Sequence, residues 1–382
     1  NDLAVPPGQD ELLLVLDDYH LTDARQVHEP LAFLLEHLPP GVHLVLASRA
    51  DPPLPLARLR AGGQLAELRA GDLRFTAEEA AALLQETAGD ALPTAAVAAL
   101  TARTEGWAAG LQLAALSLQG QADPTGFVAA FSGSHRYVLD YLTDEVLEGQ
   151  TGQVREFLLE TSVLDRLSGG LCDAVTGRTG SQAMLEQVEQ ANLFLVPLDE
   201  VRGWWRYHHL FADLLRARLQ QQHPDRLAAL HRNAAAWSAE RGLAGDAVRH
   251  AVAAGEMTWA ARLIEQYFDA AYNLRGERAT VQRWLAALPA ELVLSRPRLL
   301  LAQALLAATS GRAEAVEPPL DAAERALAGA ADAVDEPFEP SAGRAASMLV
   351  NVPALIALHR CYLAQFRGDA EGTAAFASQA LA

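Results

Sequence analysis

The chain has 382 residues, 51% of them hydrophobic and only 6% aromatic, with 30 Lys+Arg against 48 Asp+Glu for a formal charge of −18. That length predicts two to four domains, and the dominance of alanine and leucine favours helices packed on helices. The acidic balance, without any Lys/Arg-rich block, opposes nucleic-acid binding by these residues themselves.

Only Cys172 and Cys361 are present, far apart and outside any CxxC, which argues against a disulfide framework or a thiolate zinc site and fits a reducing cytoplasm. No apolar run reaches the roughly 18 residues that span a bilayer, so no membrane partner is expected. The start, Asn1-Asp2-Leu3, is neither a basic signal region nor an initiator methionine, and Gln379-Ala380-Leu381-Ala382 stops within a helical pattern. The sequence therefore reads as an internal piece of a longer protein.

The first element, Leu12–Leu16, is a continuous apolar run ending in Asp17-Asp18, as a strand buried on both faces would look. Thr22 can cap a helix through about Leu38, with Leu31, Leu34, Leu35 and Leu38 at helical spacing, until Pro39-Pro40-Gly41 stops it. A second apolar run, 42–47, ends in Ser48-Arg49, so strand, helix and strand predict a parallel crossover. A third short strand is expected near 65–68. Thr76-Ala77-Glu78-Glu79 then has capping-box spacing and opens a helical region, punctuated by Gly89-Asp90, Pro93 and Gly120, with an apolar helix over 107–118 after Gly106.

Further on, helices are broken by Ser168-Gly169-Gly170 and Gly177. The runs 193–196 and 204–207 follow, resembling a β-hairpin, the wing of a winged-helix domain, with a helix from His209 behind it. The paired Trp204-Trp205 suits an interface, one ring to each side. Beyond Pro224 the pattern is helical pairs in which Gly255, Gly276, Gly311 and Gly368 each precede a small or β-branched residue by five positions. The interval from Gly276 to Gly311 is about that of a tetratricopeptide repeat. The acidic, proline-bearing stretch 328–341 reads as a longer loop.

The chemistry-bearing candidates sit at the ends of the first two strands. An apolar strand ending in two acids is a Walker B pattern, in which Asp17 can hold Mg²⁺ through its water shell and Asp18 can orient an attacking water. Arg49, closing the next strand, offers a planar fork to a γ-phosphate. Solvated acids and a surface arginine at strand ends are the plain alternatives, and Asp17, Asp18 and His20 could also be imagined as a metallophosphoesterase cluster, although no second His/Asp group has supporting spacing.

The resemblance becomes specific in Leu14-Val15-Leu16-Asp17-Asp18-Tyr19-His20 and in the segment from Leu46-Ala47-Ser48-Arg49 to Arg58-Leu59-Arg60. These are similar to the Walker B and sensor segments of the MalT-like, ATP-dependent LuxR-family transcriptional regulators, which belong to the signal-transduction ATPases with numerous domains. Further likenesses are Leu73-Arg74-Phe75-Thr76, Gly106-Trp107 with Leu111-Gln112-Leu113-Ala114, Asp140-Tyr141-Leu142, and Tyr207-His208-His209-Leu210-Phe211, covering roughly 12–285.

The resemblance implies ATP or ADP with Mg²⁺ as cofactors, and His208 as a contact to the β-phosphate of ADP. It also implies slow regulatory hydrolysis in the whole protein, a small-molecule or protein inducer at the helical repeats, self-association when active, and DNA binding only through a C-terminal helix-turn-helix. Two departures matter: no Gly-x-x-x-x-Gly-Lys-[Ser/Thr] loop and no basic helix-turn-helix occur in this sequence.

The expected architecture is mainly α with an N-terminal α/β portion. It comprises the second half of a P-loop NTPase sheet (1–75), a small helical domain (76–121), a winged-helix domain (122–222), a helical arm (223–290) and the start of TPR-like repeats (291–382). The competing expectation is a helical-repeat interaction scaffold with a degenerate ATPase module.

Overall fold

A computed structural model describes residues 11–22, 25–88, 92–118, 123–131, 135–309, 313–329, 349 and 351–381. The chain divides into two compact units, one ending at Gln222 and the other beginning at His223.

In the first unit β1 (Leu12–Leu16) and β2 (Val42–Leu46) pair in parallel, Leu12 opposite Val42 and Leu16 opposite Leu46, with α1 (Arg25–Glu36) as the crossover. Two parallel strands joined through a helix need a connection of this length. The expectation that β1 is buried on both faces is corrected: Leu13 is 60% and Val15 56% exposed, while Leu12, Leu14 and Leu16 are half-buried.

The third strand expected near 65–68 does not form. After α2 (Leu56–Ala61) the chain is irregular, Leu68 is 78% exposed, and side-chain ion pairs take the place of a ladder. Glu67 bridges Arg60, at 2.8 Å, and Arg69, which also reaches Asp51.

The capping box forms as its spacing predicts. Glu79 N–H donates to Thr76 Oγ1 at 3.2 Å and Thr76 N–H to the Glu79 carboxylate at 2.8 Å, opening α3 (Ala77–Ala88). Next come α4 (Thr94–Thr104) and α5 (Ala108–Leu118), which close on α3 around Leu84, Leu100 and Leu111.

The turn between α4 and α5 has Glu105 at φ 51° and Gly106 at φ 71°. A Cβ on Gly106 would meet the Phe75 carbonyl oxygen at 2.6 Å, while Phe75 N–H donates to the Gly106 carbonyl at 2.8 Å. Gly106→Ala therefore suffers both a disfavoured backbone conformation and a backbone clash, and a loss of about 2–3 kcal/mol is expected in denaturant unfolding.

The remainder of this unit holds α6 (Pro124–Ala130), α7 (Arg136–Leu142) running into a π-helical turn, α8 (Gly152–Thr161), α9 (Gly169–Thr176) and α10 (Ser181–Gln190). Ser168 caps α9 by accepting from Leu171 N–H, and Gly177 ends it in the left-handed region. β3 (Leu195–Pro197) and β4 (Trp205–Tyr207) form the expected hairpin, antiparallel with Leu195 opposite Tyr207, and α11 (His209–Gln222) follows.

Trp205 also exchanges both backbone hydrogen bonds with Leu167, which pins the wing to the helices. Its ring is fully buried, whereas the ring of Trp204 lies under the Arg166 guanidinium at 5.2 Å.

The second unit is helical where described. It contains α12 (Pro224–Glu240), α13 (Ala244–Ala253), α14 (Met257–Asp269) with a π-helical extension, α15 (Arg278–Ala286), α16 (Ala290–Leu294), α17 (Pro297–Thr309), α18 (Glu317–Gly329), α19 (Val352–Arg367) and α20 (Ala370–Leu381). Neighbours pack in pairs, α12 on α13, α17 on α18 and α19 on α20. Buried alanines such as Ala247, Ala251, Ala260 and Ala302 allow that close approach.

Of the recurring glycines, Gly255, Gly276 and Gly368 take φ of 78°, 67° and 75° at helix ends. Gly311, the Gly89-Asp90 break, Gly120 and the part of the expected loop from 330 to 341 lie outside the described residues. Ala328 and Gly329, placed in that loop by sequence, belong to α18. Among the described residues no helix is long and apolar enough to cross a membrane.

Candidate functional site

The register of β1 and β2 determines where the candidate side chains emerge. Beyond the pair Leu16 and Leu46, Ala47 N–H donates to the Leu16 carbonyl at 2.9 Å and Tyr19 N–H to the Ala47 carbonyl at 3.0 Å. Asp17-Asp18 and Ser48-Arg49 thus leave the same sheet at the same C-terminal edge, where open α/β sheets bind their ligands. Asp18 turns the chain at φ 50°, which a short acid tolerates, and its N–H donates to Asp17 Oδ1 at 2.9 Å. Both acids are exposed.

The turn is anchored by Tyr19, buried, whose hydroxyl meets His28 Nδ1 at 2.7 Å. His20 Nδ1 accepts the Arg49 N–H at 3.4 Å and lies 3.9 Å from Asp18. The acid turn and the arginine strand end are therefore knit together locally. Asp17, an exposed hard-oxygen donor, fits a Mg²⁺ held through waters and phosphates. Among the described residues no group of three His, Cys, Asp or Glu gathers to hold a metal by itself.

His208 sits elsewhere in the unit, between the hairpin and the end of α4. It is buried, and its Nε2 lies 2.9 Å from the Thr104 carbonyl at the end of α4. A carbonyl only accepts, so Nε2 carries a proton. Nδ1 is buried and has no hydrogen-bond partner among the described residues. Burial pushes the imidazole below its ordinary value, opposed by the nearby Glu105 carboxylate and the Thr104 contact and reinforced by His209 and Arg74. The ring is edge-on to Trp107 and Phe194, with centroids 6.1 and 5.6 Å away.

The path from His208 to Arg49 is short. His208 N–H donates to the Phe194 carbonyl at 2.8 Å, and two residues earlier Asn192 Nδ2 donates to the Arg49 carbonyl at 2.7 Å.

Two groups were missed by sequence reasoning. One is this Asn192. The other is Glu105, whose side chain is 6% exposed and accepts hydrogen bonds from both terminal guanidinium nitrogens of Arg206 at 2.7 Å, together with the His209 N–H at 3.1 Å. Arg74 lies 3.5 Å from the same carboxylate. Burial raises the Glu105 carboxyl, but the Arg206 hydrogen bonds, His208 and the His209 N–H outweigh it and bring it to about 2. Partners 101 and 143 residues apart leave no local spacing to read.

A family model described as the MalT winged helix domain matches residues 143–227. The chain is mostly helical, and its residues 143–227 are similar to the MalT winged helix domain.

The chain is MalT-like. It is 35% identical over 333 residues to the HTH-type transcriptional regulator MalT of Serratia proteamaculans, covering 86% of this chain and 36% of that protein. The MalT of Cronobacter sakazakii is 36% identical over 329 residues, 84% of this chain and 36% of that one. The serine/threonine-protein kinase PknK of Mycobacterium tuberculosis is 41% identical over 295 residues, 77% of this chain and 26% of the kinase.

The chain thus spans from 26% to 36% of the length of these curated relatives. Among solved structures, a signal transduction ATPase with numerous domains and a tetratricopeptide repeat sensor from Pyrococcus horikoshii matches 97% of this chain and 61% of its own, at 12% identity and a TM-score of 0.22. That likeness is too slight to bear on the architecture.

Proposed function

We propose that the chain is the central part of an ATP-dependent, inducer-responsive LuxR-type transcriptional activator of the signal-transduction ATPase class. The observation that carries this reading is the parallel pairing of β1 with β2, which brings Asp17, Asp18 and Arg49 to one sheet edge. In this scheme Asp17 holds Mg²⁺ through water, Asp18 orients the attacking water, Arg49 senses the γ-phosphate and His208 reads the diphosphate. The working division is the five segments expected from sequence, in a cytoplasmic protein.

ADP holds the closed arrangement, and inducer at the helical repeats favours an ATP-bound form that self-associates. For a complete swing from 1:99 to 99:1 the inducer must prefer that form by about 5.5 kcal/mol. DNA reading is assigned to a separate C-terminal domain, since this chain is acidic.

The phosphate-gripping loop is not in this sequence, so calorimetry of the 382-residue chain alone is expected to show weak ATP binding at best. Micromolar affinity would contradict the reading. In the full-length protein the opposite holds: bound ADP is expected on purification, and Arg49→Ala is expected to weaken the response to ATP.

A second reading, a repeat scaffold with a degenerate ATPase module, is favoured by one observation. Similar residues occur in relatives named as a kinase and as transcriptional regulators, so what is shared is compatible with a partner-binding module. A full-length reading frame with an intact phosphate loop and a basic helix-turn-helix would decide for the activator.

A further inference from the structure

We infer that Asn192 is a positioning residue that ties the Arg49 strand end to His208 through the turn 192–194, so that the two candidate nucleotide contacts shift together. This rests on the nucleotide-switch reading above and adds to it the coupling element.

The geometry of the turn supports the role from both ends. At one end the Asn192 amide donates to the Arg49 carbonyl at 2.7 Å, crossing 143 residues of sequence. Its backbone is held by N–H donation to the Glu189 carbonyl at 2.9 Å and stands at φ 50°, a conformation asparagine adopts far more readily than most residues. At the other end the Phe194 carbonyl takes the His208 N–H at 2.8 Å.

Phe194 itself stands at φ 53°, a region bulky side chains avoid. Such strain persists only where the surroundings over-determine it. Here they do, because the ring packs on Trp107, His208 and Phe211 with centroids 5.1, 5.6 and 5.6 Å away. A turn wedged in this way transmits displacement rather than absorbing it.

The strand end is gripped from the opposite side as well. Arg49 N–H donates to His20 at 3.4 Å, and His20 lies 3.9 Å from Asp18. The Arg49 residue is therefore bonded towards the acid turn by its N–H and towards the winged helix by its carbonyl. Any reorientation of this backbone on exchange of diphosphate for triphosphate is felt at 192–194 and hence at His208.

The test uses the full-length protein loaded with a fluorescent ADP analogue. Asn192→Asp keeps the shape and tolerates the left-handed backbone but lacks the donor, and Asn192→Gly deletes the side chain while keeping that backbone accessible. Both are expected to release the analogue faster, by roughly fivefold or more, with an unchanged Tm.

A purely structural role would not alter coupling, so the second readout is a double-mutant cycle. The changes in ADP-over-ATP preference caused by Arg49→Ala and His208→Ala are expected to be non-additive in the parent and additive in the Asn192→Asp background. Parental release rates in both variants, or non-additivity that survives Asn192→Asp, would overturn the inference and leave the switch reading standing. A parent protein that binds neither ADP nor ATP would overturn that reading, and the inference with it.

Discussion

Glu105→Ala is expected to destabilise the first unit by about 3–5 kcal/mol, because it strips the partner from a guanidinium held in a largely buried pair. The carboxylate serves Arg206 through two 2.7 Å hydrogen bonds and also receives the N–H of His209. Removing it orphans donors from the hairpin and from the start of α11 at once. Urea unfolding followed by tryptophan fluorescence gives the measurement, and a change under about 1 kcal/mol would place the pair among ordinary surface contacts.

The same group gives a pH signature. Its carboxyl is lowered in the folded protein to about 2 from the ordinary 4.5, so its contribution is complete above pH 4.5 and lost as pH falls through about 2. Glu105→Gln, which cannot titrate, should flatten that part of the stability profile.

Trp205→Ala should cost about 3–5 kcal/mol, the range for emptying a fully enclosed aromatic site, and this approaches the whole stability of a typical domain. The ring is fully buried, and its Nε1–H donates to Glu189 at 3.0 Å. Trp205→Phe retains most of the volume and loses chiefly that hydrogen bond, for about 1–2 kcal/mol. Thermal melting of the two variants separates packing from the polar contact. Equal losses would mean that the Glu189 bond, rather than the volume, supports the wing.

Legibility in the sequence followed the range of the interactions. β1 and β2 could be read because each is an apolar run with its own stop signal, and Thr76 with Glu79 because a capping box is complete within four residues. The hairpin was readable for the same reason, as were Gly255, Gly276 and Gly368 in the second unit.

The stretch 65–68 misled because a short, mostly apolar run suits a strand whether or not a neighbouring strand is there to pair. Here Glu67 is taken up by two arginines instead. The two π-helical turns, at Thr143–Leu147 and Ala270–Leu274, left no pattern that distinguishes them from ordinary helix. At the site, the acids and Arg49 announced themselves as strand ends. Asn192 and Glu105 did not, since their importance arises only when α4, the hairpin and the sheet edge are brought together by folding.

The hydrogen bond from Asn192 ends on the peptide oxygen of Arg49, an atom that all twenty residue types possess. Phosphate sensing would belong to the guanidinium, whereas the mechanical linkage belongs to the main chain. A relative carrying another amino acid at this position would forfeit the electrostatic task and still keep the tether. Loss of chemistry and loss of signal transmission are thereby separable by single substitutions, one at position 49 and the other at position 192.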